Sequence, residues 1–327
     1  MIVTNAQRDP TRTAGLRQAY AKACRSRFVV IKSLIRETVV TNEALSSTAS
    51  IARGGVKALA RAATRYDFPS DPAGKAQAFM DWLMDAADEG ILEIEQRDGR
   101  RIVLRQEWQN VYVRSAYTRG VEQADKLLAR AGGESGAFEA WRVFDQPSMI
   151  DPQRFLRKPM HADALGILYT RNFNDLKGIT EAMGNQIAEV LTRGMAQGMG
   201  MRQLARLLNE RVDKIGIRRA TTMARTEIIR AHAEATINRY EEYGLQNVVG
   251  MAEWQTAGDH RVCPLCRAIE GRTYTIAEAR GMLPLHPNCR CTWLPVLVDD
   301  LATNRRIFSW LWRVGPRDFQ PVVSQLA

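Results

Sequence analysis

The chain has 327 residues, a formal net charge of +10, and a composition that is 45% hydrophobic and 25% charged. That balance is globular and excludes a disordered polyelectrolyte, and the length allows two or more domains. No run of about 18 apolar residues occurs, which argues against a membrane span. The opening MIVTNAQRDP lacks the apolar stretch of a secretory signal, so a soluble chain made in a reducing cytosol is expected.

Leu16, Tyr20, Cys24, Phe28, Ile31 and Ile35 step by threes and fours and predict a long amphipathic helix over about 12–38. Residues 1–40 carry eight bases against Asp9 and Glu37, a net of +6. Such a segment either meets a polyanion or an acidic surface, or is a solvated helix face. Cys24, remote from the other cysteines, reads as a small buried apolar residue. After the polar stretch Thr41–Ser50 a second helix is expected over about 51–65, and Asp67-Phe68-Pro69-Ser70 breaks the chain.

Asp71-Pro72 sets a capping carboxylate before proline at the first helical position. Phe79, Trp82, Leu83 and Ala86 form the apolar stripe of that helix, and Gly90 ends it. Ile91–Glu95 and Ile102–Leu104 flank Asp98-Gly99 and predict a β-hairpin. A helix is expected from Trp108 to about Ala131, then a loop-rich connector over 132–160, where Gly and Pro accumulate. Further helices are expected over 161–176, 177–196, 201–212 and 217–243. Beyond Gly244 the period changes. Strands are expected near 248–254, 273–275 and 292–296, with a short helix over 276–282. Ile307, Phe308, Trp310, Leu311 and Trp312 form an apolar patch in the tail that has to be buried or docked.

The expected fold class is therefore mainly α: a helical N-terminal and central region with one β-hairpin, plus a small C-terminal α+β Cys/His module. Five segments follow: a basic helical arm (1–65), a helical region with hairpin and connector (66–160), a helical core (161–245), the Cys/His module (246–298) and a tail (299–327).

Four of the five cysteines lie in that module. Cys263 and Cys266 form a C-x-x-C pair, and His286, Cys289 and Cys291 form H-x-x-C-x-C. Zinc takes four thiolate or imidazole ligands in a tetrahedron, and two tight turns can bring them together. Five candidates compete for four places, and Asp259 and His260 stand close by. If 289–291 is extended, Cys289 and Cys291 share a face and Arg290 takes the other. A thin module of this size gains much from a structural zinc. Reduced cysteines packed as apolar groups, and disulfides, are the other readings of the same residues. A catalytic reading has less support: metal-assisted hydrolysis needs a base and further ligands, and His286 is already wanted by the metal.

The stretch from Trp254 through Asp259, Arg261, Cys263, Cys266, Gly271 and Tyr274, with His286-Pro287-Asn288-Cys289-Arg290-Cys291, resembles the phage Mu F-like minor head proteins. The segment Ala224-Arg225-Thr226-Glu227 is similar to that family's other recurring stretch. The resemblance covers about 222–296 and implies a non-enzymatic virion component. Its place would be the capsid interior or the portal vertex, acting in procapsid assembly, DNA packaging or genome ejection. It implies the portal protein as partner, with scaffold, major capsid protein and non-specifically held phage DNA as further candidates and no membrane. Arg225 and Glu227 are expected to form a salt-linked network joining the last helix to the module. An HNH-type metal-dependent nuclease, with Asn288 near His286, and a general DNA-binding module are the alternatives. The long basic helix is the expected docking element.

Overall fold

The computed structural model describes residues 9–41, 44–45, 69, 71–97, 100–103, 107–135, 156–243 and 251–296. The helix expected over 51–65, the Asp98-Gly99 turn, the middle of the connector and the apolar tail patch lie outside them.

Six long helices make the body: α1 (Ala14–Arg36), α2 (Pro72–Ala87), α3 (Glu107–Ser135), α4 (Pro159–Ala196), α5 (Met201–Arg211) and α6 (Arg218–Glu242). Wider π turns extend α1 (Glu37–Thr41) and α2 (Asp88–Leu92), and another (Val212–Ile217) joins α5 to α6 without a break. The Asp71 carboxylate accepts from the Gly74 amide and caps α2, with Pro72 at its first position. A two-stranded hairpin follows, β1 (Ile94–Arg97) against β2 (Arg100–Val103), with Ile94 opposite Val103. Its first strand starts later than the alternation suggests, because Ile91 and Leu92 are buried in the π turn.

Two boundaries differ from expectation. Helix α4 runs unbroken through Lys177-Gly178, since its buried stripe continues from Leu165 and Leu176 to Met183, Ile187 and Leu191. Helix α3 continues past Gly132 and Gly133 to Ser135. Glycine in a helix costs only about 1 kcal/mol and does not force a stop.

The stripe of α1 faces inward: Tyr20, Cys24, Phe28, Ile31 and Ile35 all lie in the core of the body. It is therefore unavailable to a partner, contrary to the docking role expected of it, and only the outer basic face remains free. Several of the bases are also engaged within the chain. Arg17 pairs with Asp9 at 2.7 Å, Lys32 with Asp213 at 2.7 Å, and Arg27 lies over the Trp108 ring.

Helix α6 is the axis of the molecule. One part of its surface belongs to the body core through Ala220, Ala224 and Ile228, and a later part joins a second core through Ala233, Ile237 and Tyr240. That second core also holds Ala124 and Leu128 of α3, Trp254, Trp293 and three cysteines. It belongs to a small module with an antiparallel sheet in the order β4-β3-β5, made of β3 (Met251–Gln255), β4 (Thr273–Thr275) and β5 (Thr292–Val296). Trp254 faces Trp293 across β3 and β5, with their rings edge to face at 5.2 Å. The short helices α7 (Pro264–Ala268) and α8 (Ile276–Ala279) complete the module. A capping box between Thr275 and Glu278 starts α8.

Candidate metal centre

Two tight turns face each other at the edge of the module. In the first, Cys263 caps α7 and its Sγ accepts the Cys266 amide at 3.3 Å. Pro264 fits the first helical position of that turn. In the second, the Cys289 amide returns to the His286 carbonyl at 3.1 Å, and Asn288 takes the left-handed conformation, φ 61°. Asparagine is one of the few side chains that tolerates it. The turn is pinned to the body because the Asn288 amide donates to Thr226 Oγ1 of α6 at 3.0 Å.

These turns bring all five expected residues together as two overlapping triads, Cys263–Cys266–His286 and Cys266–Cys289–Cys291, each with its donor atoms within 4.8 Å. Cys266 is common to both. His286 Nε2 lies 3.2 Å from the Sγ atoms of both Cys263 and Cys266, and Cys266 Sγ lies 3.9 Å from Cys289 Sγ. Tetrahedral zinc, with bonds of about 2.3 Å to sulfur and about 2.0 Å to nitrogen, sets sulfur pairs about 3.8 Å apart and sulfur–nitrogen pairs about 3.5 Å apart. The donor set and its spacing therefore fit the ion. The imidazole is oriented for it too. His286 Nδ1 faces the Pro287 carbonyl at 2.9 Å, and that carbonyl can only accept. The proton therefore sits on Nδ1 and leaves the Nε2 lone pair towards the sulfurs, the arrangement in which histidine ligates metals. With a metal on Nε2, the same imidazole could not also serve as a general base.

Cys289 and Cys291 are both buried, while Arg290 between them turns outward and its guanidinium grips Asp259 through both carboxylate oxygens, at 2.5 and 2.7 Å. The alternation expected for an extended 289–291 is thus realised just ahead of β5. A hydrogen bond from Cys291 favours the thiolate of Cys289 and lowers its pKa. The same contact, together with burial, raises that of Cys291. Burial raises the Cys266 thiol, whereas the Cys266 amide lowers the Cys263 thiol. Asp259 and His260 do not join the cluster. The Asp259 carboxyl is held far below its usual range, first by hydrogen bonds from Arg290, and His260 is exposed. No disulfide forms: all five cysteines are free.

The link between α6 and the module is not the one expected. Glu227 is buried and pairs with Arg230 at 3.1 Å and Arg171 at 3.6 Å, both on the helical body, and Arg225 is exposed. The joint is made by Thr226 and by a residue that sequence reading passed over, Arg280. Its guanidinium meets Glu234, Glu241 and the Asn238 side-chain oxygen. An arginine after a short helix carries no periodic signal, so nothing in the sequence singled it out.

The described residues thus form a helical body that bears, on α6, an α+β module with a cysteine and histidine cluster. Residues 185–294 match the family model described as Phage Mu protein F like protein. Over that segment, from the middle of α4 into β5, the chain is similar to the phage Mu F-like family. Comparison with curated proteins and with solved structures gave no match.

Proposed function

We propose that the chain is a minor head protein held at the portal vertex of a tailed phage, acting in procapsid assembly, DNA packaging or genome ejection without catalytic turnover. The observation that carries this reading is the coincidence of the phage Mu F-like match with a module whose histidine turns Nε2 towards two cysteine sulfurs, as a metal ligand would. The module, 246–298, is the assembly element, and the helical core is its support. The four proposed zinc ligands are Cys263, Cys266, His286 and Cys289, the first and last residues of the two turns. Cys291 hydrogen-bonds to Cys289. Bound there, zinc supplies a four-way crosslink and neutralises thiolate charge. The chain's own contribution is to hold the two turns in register through Thr226, Arg290 and Asp259. Held inside a capsid, a chain with net charge +10 meets DNA through phosphate contacts that need no base recognition.

Co-sedimentation of the purified chain with assembled portal rings tests the partner, and absence of the chain from both rings and mature particles would refute the head role. Metal analysis under reducing conditions should give close to one zinc per chain for the wild type and for Cys291→Ser, and loss of zinc for Cys266→Ser and Cys289→Ser. Full zinc retention by Cys289→Ser with loss in Cys291→Ser would reverse the ligand assignment.

A further inference from the structure

The first half of α6 presents an outer surface made of two residue types. From Arg218 to Thr226 the residues that reach solvent are Arg218, Arg219, Thr221, Thr222, Arg225 and Thr226, and the remainder are buried. There is no acid among them. Arg218, Arg219 and Arg225 have no acidic partner among the described residues, whereas Arg171, Arg230, Arg239, Arg280 and Arg290 meet carboxylates. An unpaired run of arginine on a helix that otherwise organises two cores is not explained by packing.

A second observation points to the same place. Arg17, on the first turn of the antiparallel neighbour α1, is only 9% exposed. One of its terminal nitrogens binds Asp9, but its Nε is buried with no hydrogen-bond partner. A buried guanidinium N–H without an acceptor costs free energy unless something supplies one. The guanidinium is close enough to Arg225 and to Arg290 to feel the charge of both. Three arginines from three separate elements thus converge where α1, α6 and the turn at His286–Arg290 meet, and two of them pair with Asp9 and Asp259.

The geometry points to a phosphodiester-binding site on this face, with Arg218 and Arg225 as the outer contacts and Arg17 and Arg290 at its inner edge. Guanidinium forks suit phosphate oxygens. The surface lacks the apolar centre that a protein interface uses, which favours a nucleic-acid backbone over an acidic protein. Arg218 and Arg225 are seven residues apart, about 10 Å along the helix, so one strand can engage both. The inference rests on the reading that the chain meets DNA. It relocates that contact from the α1 arm to α6.

The test measures binding of the full chain to a short duplex of arbitrary sequence by fluorescence anisotropy across a salt series. It compares the wild type with Arg218→Gln/Arg225→Gln and with Lys22→Gln/Arg25→Gln on the outer face of α1. The α6 pair should lose about tenfold in affinity at moderate salt, and the slope of log K against log salt should fall by nearly two, about 0.9 for each phosphate contact removed. The α1 pair should change less. Because all four side chains lie on the surface, circular dichroism should show unchanged folding. An unchanged slope for the α6 pair, or an equal loss from the α1 pair, overturns the site while leaving DNA contact intact. A wild type that does not bind DNA at all removes both. Unchanged DNA binding with loss of portal co-sedimentation in the α6 pair would assign the face to a protein and likewise overturn the proposal.

Discussion

Asn238 shows how one side chain fixes the state of several others. Its oxygen accepts from Arg280 at 2.7 Å, so its amide nitrogen must be the group that donates to the Tyr117 hydroxyl at 2.9 Å. Tyr117 in turn donates to His161 Nδ1 at 2.7 Å, which leaves the proton on Nε2, facing Glu242 at 3.2 Å. The chain Arg280–Asn238–Tyr117–His161–Glu242 therefore has one direction, from the module to the start of α4. Glu242 also receives Arg239 and Lys158. Asn238→Leu keeps the volume but leaves Tyr117 and Arg280 short of partners. It should destabilise the fold by about 1–3 kcal/mol in denaturant titration, and a change below about 0.5 kcal/mol would mean that the relay contributes nothing. None of the pairings along that chain was legible in the sequence, because they join positions 42 to 121 residues apart. The cysteine and histidine cluster was legible, because its residues come from local segments with fixed spacing.

Among elements, α3 and α6 are pressed together at Gly120. A Cβ there would overlap the His232 carbonyl and stand 2.7 Å from Ala235 Cβ. Neither obstacle can swing aside, since one is backbone and the other has no rotamer. Gly184 is also crowded, but by the flexible end of Met84. Gly120→Ala should therefore cost about 1–3 kcal/mol of stability by overpacking, whereas Gly184→Ala should come near neutral, as repacking of Met84 offsets a gain in helix propensity. Paired thermal melts of the two variants check the contrast, and equal Tm shifts would refute it. Periodicity located these helices because each buries a stripe, and α2 was marked at its start by Asp71-Pro72. It misjudged where α4 was continuous, since a glycine inside a helix and a glycine between helices look alike until the packing partner is known.

Across the whole molecule, His232 and Glu242 each contribute to the response to acid. Burial pushes His232 down to about 4, and the nearby Asp9 opposes this only in part. An unfolded histidine titrates near 6.5, so between pH 6.5 and 4 the unfolded chain takes up a proton that the fold refuses. Stability falls over that window, by up to about 3 kcal/mol, and this contribution levels off below pH 4. Glu242 acts lower. Burial alone would raise its pKa, but hydrogen bonds from His161, Lys158 and Arg239 outweigh it and bring the carboxyl to about 2. Its stabilisation is present above the unfolded carboxyl range and is lost as pH falls through about 2. Urea titrations at several pH values should show stability dropping from pH 6.5 to 4 in the wild type and much less in His232→Gln. Equal slopes in the two would assign the acid response elsewhere.

The sequence by itself determined the helical class, the capped start of α2, the hairpin, the α+β module and the five cysteine and histidine positions, because each is written in local spacing. Only the tertiary structure decided that the stripe of α1 is spent on the chain's own core, that Thr226 and Arg280 join module to body, and that unpaired arginines gather on α6. Those outcomes depend on which surfaces meet, and periodicity marks a face for burial without showing what will cover it.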